Sequence, residues 1–332
     1  MDAMALYEEA CAHEHALSGF YNRNVRVEVG ARPVLVRIPG PGAEPMDLTL
    51  WPEPEVLEAI RPYVTRAPRL LHAAVDPVFQ IHEFIEGRRV DEVAQDGKPL
   101  PDLVLDGVEQ FFAEVLQVPA TALGPVPPGW PDDGDTRGFA RLLLDFAQGL
   151  RDRADASVDA LYRALGVPED PCGLLIERAD AELVQRPFRL LHGDIHRKNM
   201  ILSDRAGLVV LDWELALWGD PVYDLADHLH KTAYTASDRA RIIAGWERVA
   251  PVDCRAGASA GLTFYLGCEE IKSALVDTVR WGRRIAAAGA GRERRVLAEE
   301  LHAKLSAASP HWDAGLPPEA AEIEDAVLRL LG

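Results

Sequence analysis

Apolar and polar positions change period several times along this chain, and each change marks an element. Met4, Leu6, Tyr7, Ala10 and Cys11 recur at helical spacing and predict a helix within about the first 20 residues. From Asn24 the period becomes two. Val25-Arg-Val-Glu-Val29 alternates strictly, Gly30-Ala31 interrupts, and Pro33-Val-Leu-Val-Arg-Ile38 resumes an extended pattern, which predicts a β-hairpin ended by Pro39-Gly-Pro-Gly42. A helical period returns over 53–64. Phe79-Gln-Ile-His-Glu-Phe-Ile85 then has the length and composition of a buried strand, halted by Glu86-Gly87.

Beyond that strand the pattern is mostly helical. Helices are predicted over 105–118, 138–152, 154–165 and 173–185, with a Pro/Gly-rich loop at 121–135. Two short strands break in over 189–212. Helical periods resume near 222–234, 236–249, 260–288, 292–308 and 318–331. No repeat is visible. The expected class is α+β, a small sheet-bearing lobe followed by a larger helical lobe, rather than alternating βαβ units.

Size and composition narrow this picture further. The 332 residues, 48% hydrophobic, suffice for two domains or one large two-lobed one. No apolar run reaches the ~18 residues of a membrane span. The opening MDAMALYEEACAHEHALSGF lacks a signal peptide's basic start and apolar core, so a cytoplasmic location is expected. Cys11, Cys172, Cys254 and Cys268 are scattered and form no C-x-x-C pair, which argues against a zinc ribbon or a disulfide framework. Thirty-five basic against 53 acidic residues give a net charge of −18, which disfavours nucleic acid and anionic membrane as partners. The acidity serves either solubility or attraction of a cationic substrate.

The chemistry concentrates in Leu190-Leu-His-Gly-Asp-Ile-His-Arg-Lys-Asn-Met-Ile-Leu202 and, eight residues on, Val210-Leu-Asp-Trp-Glu214. Phosphoryl transfer asks a protein for positioning and charge stabilisation rather than covalent steps. A carboxylate at Asp194 can orient an acceptor hydroxyl and take its proton. Asn199 and Asp212 offer hard oxygen atoms suited to Mg²⁺, and His192 can brace the loop by hydrogen bonds. A lone Asp-x-x-x-x-Asn is a common chance match; the whole string with its turn, apolar strand and D-W-E is not.

These motifs resemble the aminoglycoside phosphotransferase and choline kinase superfamily, whose members share a protein-kinase-like bilobal fold. His192 to Asn199 match its H-G-D-x-H-x-x-N, Asp212 matches the D-F-G aspartate, and Gly219-Asp-Pro-Val-Tyr-Asp-Leu-Ala226 matches its downstream G-D-P-x-Y-D-L-A. The resemblance implies Asp194 as catalytic base, Asn199 and Asp212 as Mg²⁺ ligands, and Asp220 and Asp224 as structural. It implies a nucleotide-binding lobe over 1–84, a catalytic and substrate-binding lobe over 85–332, and a hinge about 80–87. Ser18 and Gly19 would belong to the nucleotide loop, although a generic turn is as good a reading. Arg37 stands where the family usually has Lys on a strand that grips phosphates. That keeps the charge and loses the point-charge geometry, and a surface strand arginine is the alternative. Glu53, with Glu55 in reserve, would pair with it, and Gln80 and His82 lie in the segment expected to meet the nucleobase. ATP or GTP with Mg²⁺ would be the cofactors.

For the acceptor, Glu214 and the helix 260–283 are the candidates. Phe264, Cys268, Ile271, Leu275 and Val279 form an apolar stripe; Tyr265, Glu269, Ser273, Asp277 and Trp281 line another face. Glu269 and Asp277 are candidate substrate carboxylates, against the commoner alternative of a solvated charged face. His196, Arg197 and Lys198 could touch a phosphate; facing water is favoured. Gly257-Ala-Ser-Ala-Gly261 matches a G-x-S-x-G nucleophile elbow but lacks a preceding strand pattern. Histidine pairs at 192/196 and 228/230 make weak metal sites. The expected activity is O-phosphorylation of a small hydroxylated, cationic or antibiotic-like molecule by a monomer or homodimer. A choline, ethanolamine or other metabolite kinase is the runner-up, and a catalytically silent kinase-like binding module the non-enzyme alternative.

Overall fold

The computed structural model describes residues 2–13, 22–30, 32–40, 48–289, 291–312 and 314–332. Along the chain run α1 (Ala3–Ala12), β1 (Asn22–Val29), β2 (Arg32–Pro39), α2 (Glu53–Ile60), β3 (Leu70–Val75), β4 (Val78–Glu83), β5 (Arg88–Arg89), α3 (Val90–Val93) and α4 (Asp102–Val115). Then come α5 (Thr136–Asp152), α6 (Ala156–Ala164), α7 (Gly173–Glu182), β6 (Arg189–Leu191), β7 (Met200–Ser203), β8 (Gly207–Val210) and β9 (Leu217–Gly219). The chain ends with α8 (Pro221–Thr232), α9 (Ala236–Val249), α10 (Ala258–Ala287), α11 (Arg292–Ala308) and α12 (Ala320–Leu330). The class is mixed α+β, with the small antiparallel sheet in the N-terminal region and mostly helix after it, as the periodicity predicts. Two compact units divide the residues: Met1–Gly129 with Phe188–Arg255, and Trp130–Pro187 with Ala256–Gly332.

In the first unit the N-terminal sheet has strand order β1-β2-β4-β3, all neighbours antiparallel. One face carries Val25, Val27, Val34, Val36, Phe79 and Ile81, sealed by Leu6 and Ala10 of α1. Tyr7 stacks on Phe79 at 4.8 Å between ring centroids. Because strand side chains alternate, Arg37, Gln80 and His82 fall on the opposite face, so the polar cluster of β2 and β4 is set by the same period that builds the core. In α2 the buried residues Glu53, Val56, Leu57 and Ile60 follow i, i+3, i+4, i+7; Glu53 is thus held on the inward face.

Strand β3 is a departure from the expected elements. Leu70-Leu-His-Ala-Ala-Val75 pairs only with β4, at the sheet edge, and none of its residues is fully buried, so it carries no hydrophobic alternation to read. The first helix stops at Ala12, and the helix expected at 105–118 runs Asp102–Val115 instead. The motif block holds three strands, β6, β7 and β8, rather than two. β7 and β8 form the expected hairpin in a three-stranded sheet ordered β5-β7-β8, and β6 pairs with β9. Helix α4 packs across β8 through a close approach at Gly107, where a Cβ would lie 2.4 Å from the Leu208 Cβ.

The second unit is helical. Its 30-residue α10 packs against α5, α7, α11 and α12. The predicted stripe of Phe264, Cys268, Ile271 and Leu275 is buried, but so are Tyr265 and Glu269, which corrects the solvated-face alternative: Glu269 is only 2% exposed. Val279 is half-buried, and Thr278 takes the buried position in its place. Ser259 lies within the first turn of α10, which follows a short 3-10 turn, Val252–Arg255, so the strand–turn–helix context of a nucleophile elbow is absent. Among the described residues no helix is long and apolar enough to cross a membrane.

Candidate active site

The loop between β6 and β7 has at its second position a glycine that no other residue could replace cheaply. Gly193 has φ +75°, and a Cβ there would sit 2.6 Å from the Leu215 carbonyl oxygen. With Gly193 in this conformation, the amides of His192 and Gly193 both donate to the Asp224 carboxylate, at 3.1 and 2.8 Å. Asp224 sits in the first turn of α8, whose N-cap Asp220 accepts a hydrogen bond from the Val222 amide at 3.1 Å. Both aspartates therefore act on backbone, one on the loop and one on its supporting helix. Burial raises the Asp224 carboxyl to about 6 against the opposing pull of the two amides. A Gly193→Ala variant is expected to lose most activity and more than about 2 kcal/mol of stability, since it combines a left-handed φ with a backbone clash. Urea unfolding with a steady-state assay checks this; wild-type values in both would refute the account.

His192 braces the loop as its position suggests. The Asp194 amide donates to Nδ1 (3.2 Å), so Nε2 carries the proton and donates to the Leu211 carbonyl (3.0 Å). The ring is packed between Trp213 and Phe111, with centroids 4.6 and 6.0 Å away. In that dry slot burial lowers the imidazole to about 4 and keeps it neutral. His228, behind the loop, donates from Nδ1 to the Ile195 carbonyl (2.9 Å) and accepts from Tyr234 OH at Nε2 (2.7 Å); burial takes it to about 4 as well. Both histidines are structural, and no group of three or more His, Cys, Asp or Glu able to hold a metal occurs among the described residues.

Asp194 stands at the loop apex with donors on both oxygens. Asn199 Nδ2 donates to Oδ2 at 2.9 Å and to the Asp194 carbonyl at 3.0 Å. His196 Nε2 lies 3.4 Å from Oδ2, and Lys231 Nζ donates to Oδ1 at 2.7 Å. Burial opposes the charge, but Lys231 and His196 more than offset it and hold the carboxyl well below the usual range. Because Asn199 spends its amide nitrogen on Asp194, its Oδ1 is the atom left to meet a hard cation. The Leu211 amide donates to the Asn199 carbonyl at 2.7 Å and ties this loop to the strand leading into Asp212.

Asp212 has φ +68°, an unusual backbone for a residue with a Cβ and one that Asp and Asn tolerate best. That kink turns the next amide inward, and Trp213 N donates to Glu53 Oε1 at 3.0 Å. Arg37 lies opposite. Its Nη2 reaches Asp212 Oδ1 and Glu214 Oε2, each at 2.6 Å, while its Nε lies 3.4 Å from Glu53 Oε2. The predicted Arg37–Glu53 pair is present, enlarged to three carboxylates. Arg37 is 8% exposed in its side chain, which rules out the surface-arginine alternative. Burial acts against its charge, but Glu53, Asp212 and Glu214 raise it above the ordinary guanidinium value. Burial pushes Glu53 up to about 7 against the pull of Arg37. Glu214 also accepts from Asn22 Nδ2 at 3.0 Å, and it is likewise raised by burial.

Gln80 pairs with Arg37 across β2 and β4, and its Oε1 lies 2.8 Å from His82 Nε2. Burial and the Arg37 charge lower His82 to about 4. Its effect on stability has a definite sign. Between about pH 6.5 and 4 the unfolded chain binds a proton at this ring and the folded chain does not, so stability is lost as pH falls through that window. His82→Leu is expected to lose about 2 kcal/mol less than wild type between pH 7 and 5. Denaturant melts at the two pH values test it; an unchanged difference would remove the assignment.

Some predicted residues fall elsewhere. Ser18 and Gly19 lie outside the described residues. Glu269 and Asp277 belong to the second unit, where Lys272 Nζ sits 2.7 Å from Glu269 Oε1 and Lys304 Nζ 3.5 Å from Asp277 Oδ2. Arg197 does not face water. It is 2% exposed and donates to the carbonyls of Thr232, Ala94 and Gln95 at 2.8–2.9 Å, crosslinking the loop to its neighbours; Lys198 is exposed. Sequence reasoning missed Asn22, Asp227 and Lys231. The readable signal was the Asp227–Lys231 i, i+4 pair on the helix that also carries Asp224.

With this geometry in place, the chain can be set beside known proteins. A model of the phosphotransferase enzyme family (APH) matches residues 14–260, more than half of the chain. No curated protein sequence matches it. Among solved structures it is similar to the choline kinase LicA from Streptococcus pneumoniae, with TM-score 0.58 at 16% identity, over 92% of this chain and 98% of that one. It is similar to a choline/ethanolamine kinase family protein from Mesorhizobium loti, with TM-score 0.58 at 15% identity, over 99% and 100%. It is also similar to a thermostable mutant of aminoglycoside phosphotransferase APH(4)-Ia, with TM-score 0.53 at 14% identity, over 98% of both chains. At these identities the likeness establishes the fold. LicA has been solved with AMP, and the APH(4)-Ia protein in a ternary complex with ADP and hygromycin B.

Proposed function

The chain belongs to the phosphotransferase enzyme family and is a small-molecule phosphotransferase, and from that premise we propose that it transfers the γ-phosphate of ATP to a hydroxyl of an antibiotic of aminoglycoside or nucleoside type. The observation that carries this reading is the state of Asp194: an ionised carboxylate at a loop apex, with both oxygens oriented by Asn199, His196 and Lys231.

In this proposal Asp194 receives the acceptor hydroxyl as a hydrogen-bond donor and aligns its oxygen. Asp194 would take the proton as the new oxygen–phosphorus bond forms and the bond from the γ-phosphorus to the departing ADP oxygen breaks, in a loose transition state that asks for little nucleophile activation. Asn199 Oδ1 and Asp212 would hold Mg²⁺, which when bound neutralises charge on the phosphate oxygens. Both offer hard oxygen atoms, and the left-handed backbone of Asp212 is fixed by the Trp213–Glu53 bond. Arg37 would supply positive charge to the phosphates, with Gln80 and His82 near the nucleobase and Ser18 and Gly19 in the phosphate loop. A hinge about 80–87 would separate nucleotide-binding residues 1–84 from 85–332. Glu214 would serve a cationic acceptor. The same reading places a monomer or homodimer in the cytoplasm, with no nucleic acid or membrane partner.

A second acceptor class, choline or ethanolamine, is favoured by one feature: Glu214 of the D-W-E stretch shares the Arg37 guanidinium with Asp212. GTP is the alternative donor. The test is a panel of aminoglycosides, nucleoside antibiotics, choline and ethanolamine with Mg²⁺ and ATP or GTP, read by nucleotide consumption and product mass. A phosphorylated aminoglycoside or nucleoside supports the antibiotic reading, and phosphocholine or phosphoethanolamine supports the second. Equal rates for wild type and Asp194→Ala with every acceptor would leave a silent binding module.

A further inference from the structure

We propose that Lys231, on α8, is a positioning residue of phosphoryl transfer, holding the Asp194 carboxylate in the orientation that receives the acceptor hydroxyl. This rests on the phosphotransferase reading of the same loop. Lys231 Nζ lies 2.7 Å from Asp194 Oδ1, 2.8 Å from Asp227 Oδ1 and 3.0 Å from the Gly193 carbonyl oxygen. Two of these contacts are hydrogen bonds, to Asp194 and to the Gly193 carbonyl, and the Asp227 carboxylate adds an ion pair. Asp227, one turn earlier on α8, is fully buried, and its i, i+4 contact anchors the lysine head from below the loop. The placement follows from the helix itself. Asp224, Asp227, His228 and Lys231 recur at i, i+3, i+4 and i+7, so one face of α8 supplies the amide acceptor for His192 and Gly193, the acceptor–donor ring under Ile195, and the cation at Asp194.

The torsion that turns a carboxylate about its Cβ–Cγ bond is soft and broad. Donors on one oxygen alone would leave Asp194 free to rotate about the Asn199 contact. Lys231 on the other oxygen closes that freedom, while each oxygen keeps a lone pair for an incoming hydroxyl. A cation held between the Asp194 carboxylate, the Gly193 carbonyl and the Asp227 carboxylate is placed to orient the Asp194 side chain. Its removal should therefore act on turnover and not on nucleotide affinity.

The experiment is steady-state kinetics of Lys231→Met and Lys231→Arg, with the acceptor the panel yields, or with ATP turnover to water where it yields none. Lys231→Met is expected to lower kcat about 10- to 100-fold, the scale of a small misplacement of a reacting group, with the ATP KM within about twofold of wild type. Lys231→Arg, which keeps a cation and donors, should recover most of the loss. Because Lys231→Met takes the ammonium away from the buried Asp227 carboxylate, the double variant Asp227→Asn with Lys231→Met removes that charge as well. It should melt near the wild-type temperature and still turn over slowly. A double variant with wild-type kcat, or a loss confined to the ATP KM, overturns the proposal. Asp194→Asn run alongside separates the two ideas. If it is inactive while Lys231→Met matches wild type, only the role of Lys231 fails; if it is fully active, the phosphotransferase reading of the loop fails.

Discussion

Asp194→Asn should leave a folded protein that turns over about 10²–10⁴-fold more slowly than wild type. The size follows from what the substitution removes. An amide keeps the volume and one acceptor oxygen but cannot take a proton, and it places an NH₂ where a hydroxyl or Lys231 must approach. Loss of a positioned general base costs typically 10²–10⁴-fold. The fold should tolerate the change. Lys231 keeps Asp227 and the Gly193 carbonyl, and the His192–Asp224 framework beneath the loop does not involve the Asp194 side chain. Thermal melts with initial rates give the answer: a rate within tenfold of wild type would deny Asp194 the central role.

The largest effect on stability is expected from Arg37→Met. The guanidinium is enclosed by Glu53, Asp212 and Glu214, and nothing in the cluster replaces it once removed. Breaking a buried ion pair by deleting one partner costs about 3–5 kcal/mol, because the other charge is left in a poor solvent. The lower end applies here, about 3 kcal/mol, because Asp212 and Glu214 retain partial solvent access and Glu53 is already drawn up to about 7. For a protein of this size that corresponds to a fall in Tm of roughly 4 °C. The pH dependence fixes the cause. In wild type Arg37 opposes the rise of Glu53. Without it Glu53 holds its proton to still higher pH in the fold than in the unfolded chain, so the variant gains stability as pH falls from 8 to 6. Equal destabilisation at both pH values would mean that lost packing, not charge, is responsible.

The elements were mostly legible because their signals are local. The strict alternation of 24–29 gave β1, and the helices α9 and α11 lie where their apolar periods put them. The edge strand β3 escaped because its inward positions, Leu70, His72 and Ala74, are only half-buried and include a histidine and an alanine, so no strong apolar alternation marks it. Arg197 was misread for a related reason. Nothing in its neighbours along the chain says that five carbonyls converge on it from segments about a hundred and about 35 residues away. The burial of Tyr265 and Glu269 is a property of what packs around α10, and the helix period alone leaves that open.

By itself the sequence determined the chemical inventory. His192, Gly193, Asp194 and Asn199 lie within eight residues, and a left-handed glycine and a short loop suffice to bring them together. The pairing of Arg37 with Glu53 was also within reach, since a strand and the next helix carry them 16 residues apart. Tertiary structure alone decided which charges meet beyond that range. Asp212 and Glu214 reach Arg37 across 175 and 177 residues, and Lys231 reaches Asp194 across 37. Such contacts depend on the directions in which packed helices and strands point their side chains, and hydrophobic periodicity constrains the buried face of an element far more than the partner of any one polar atom on it.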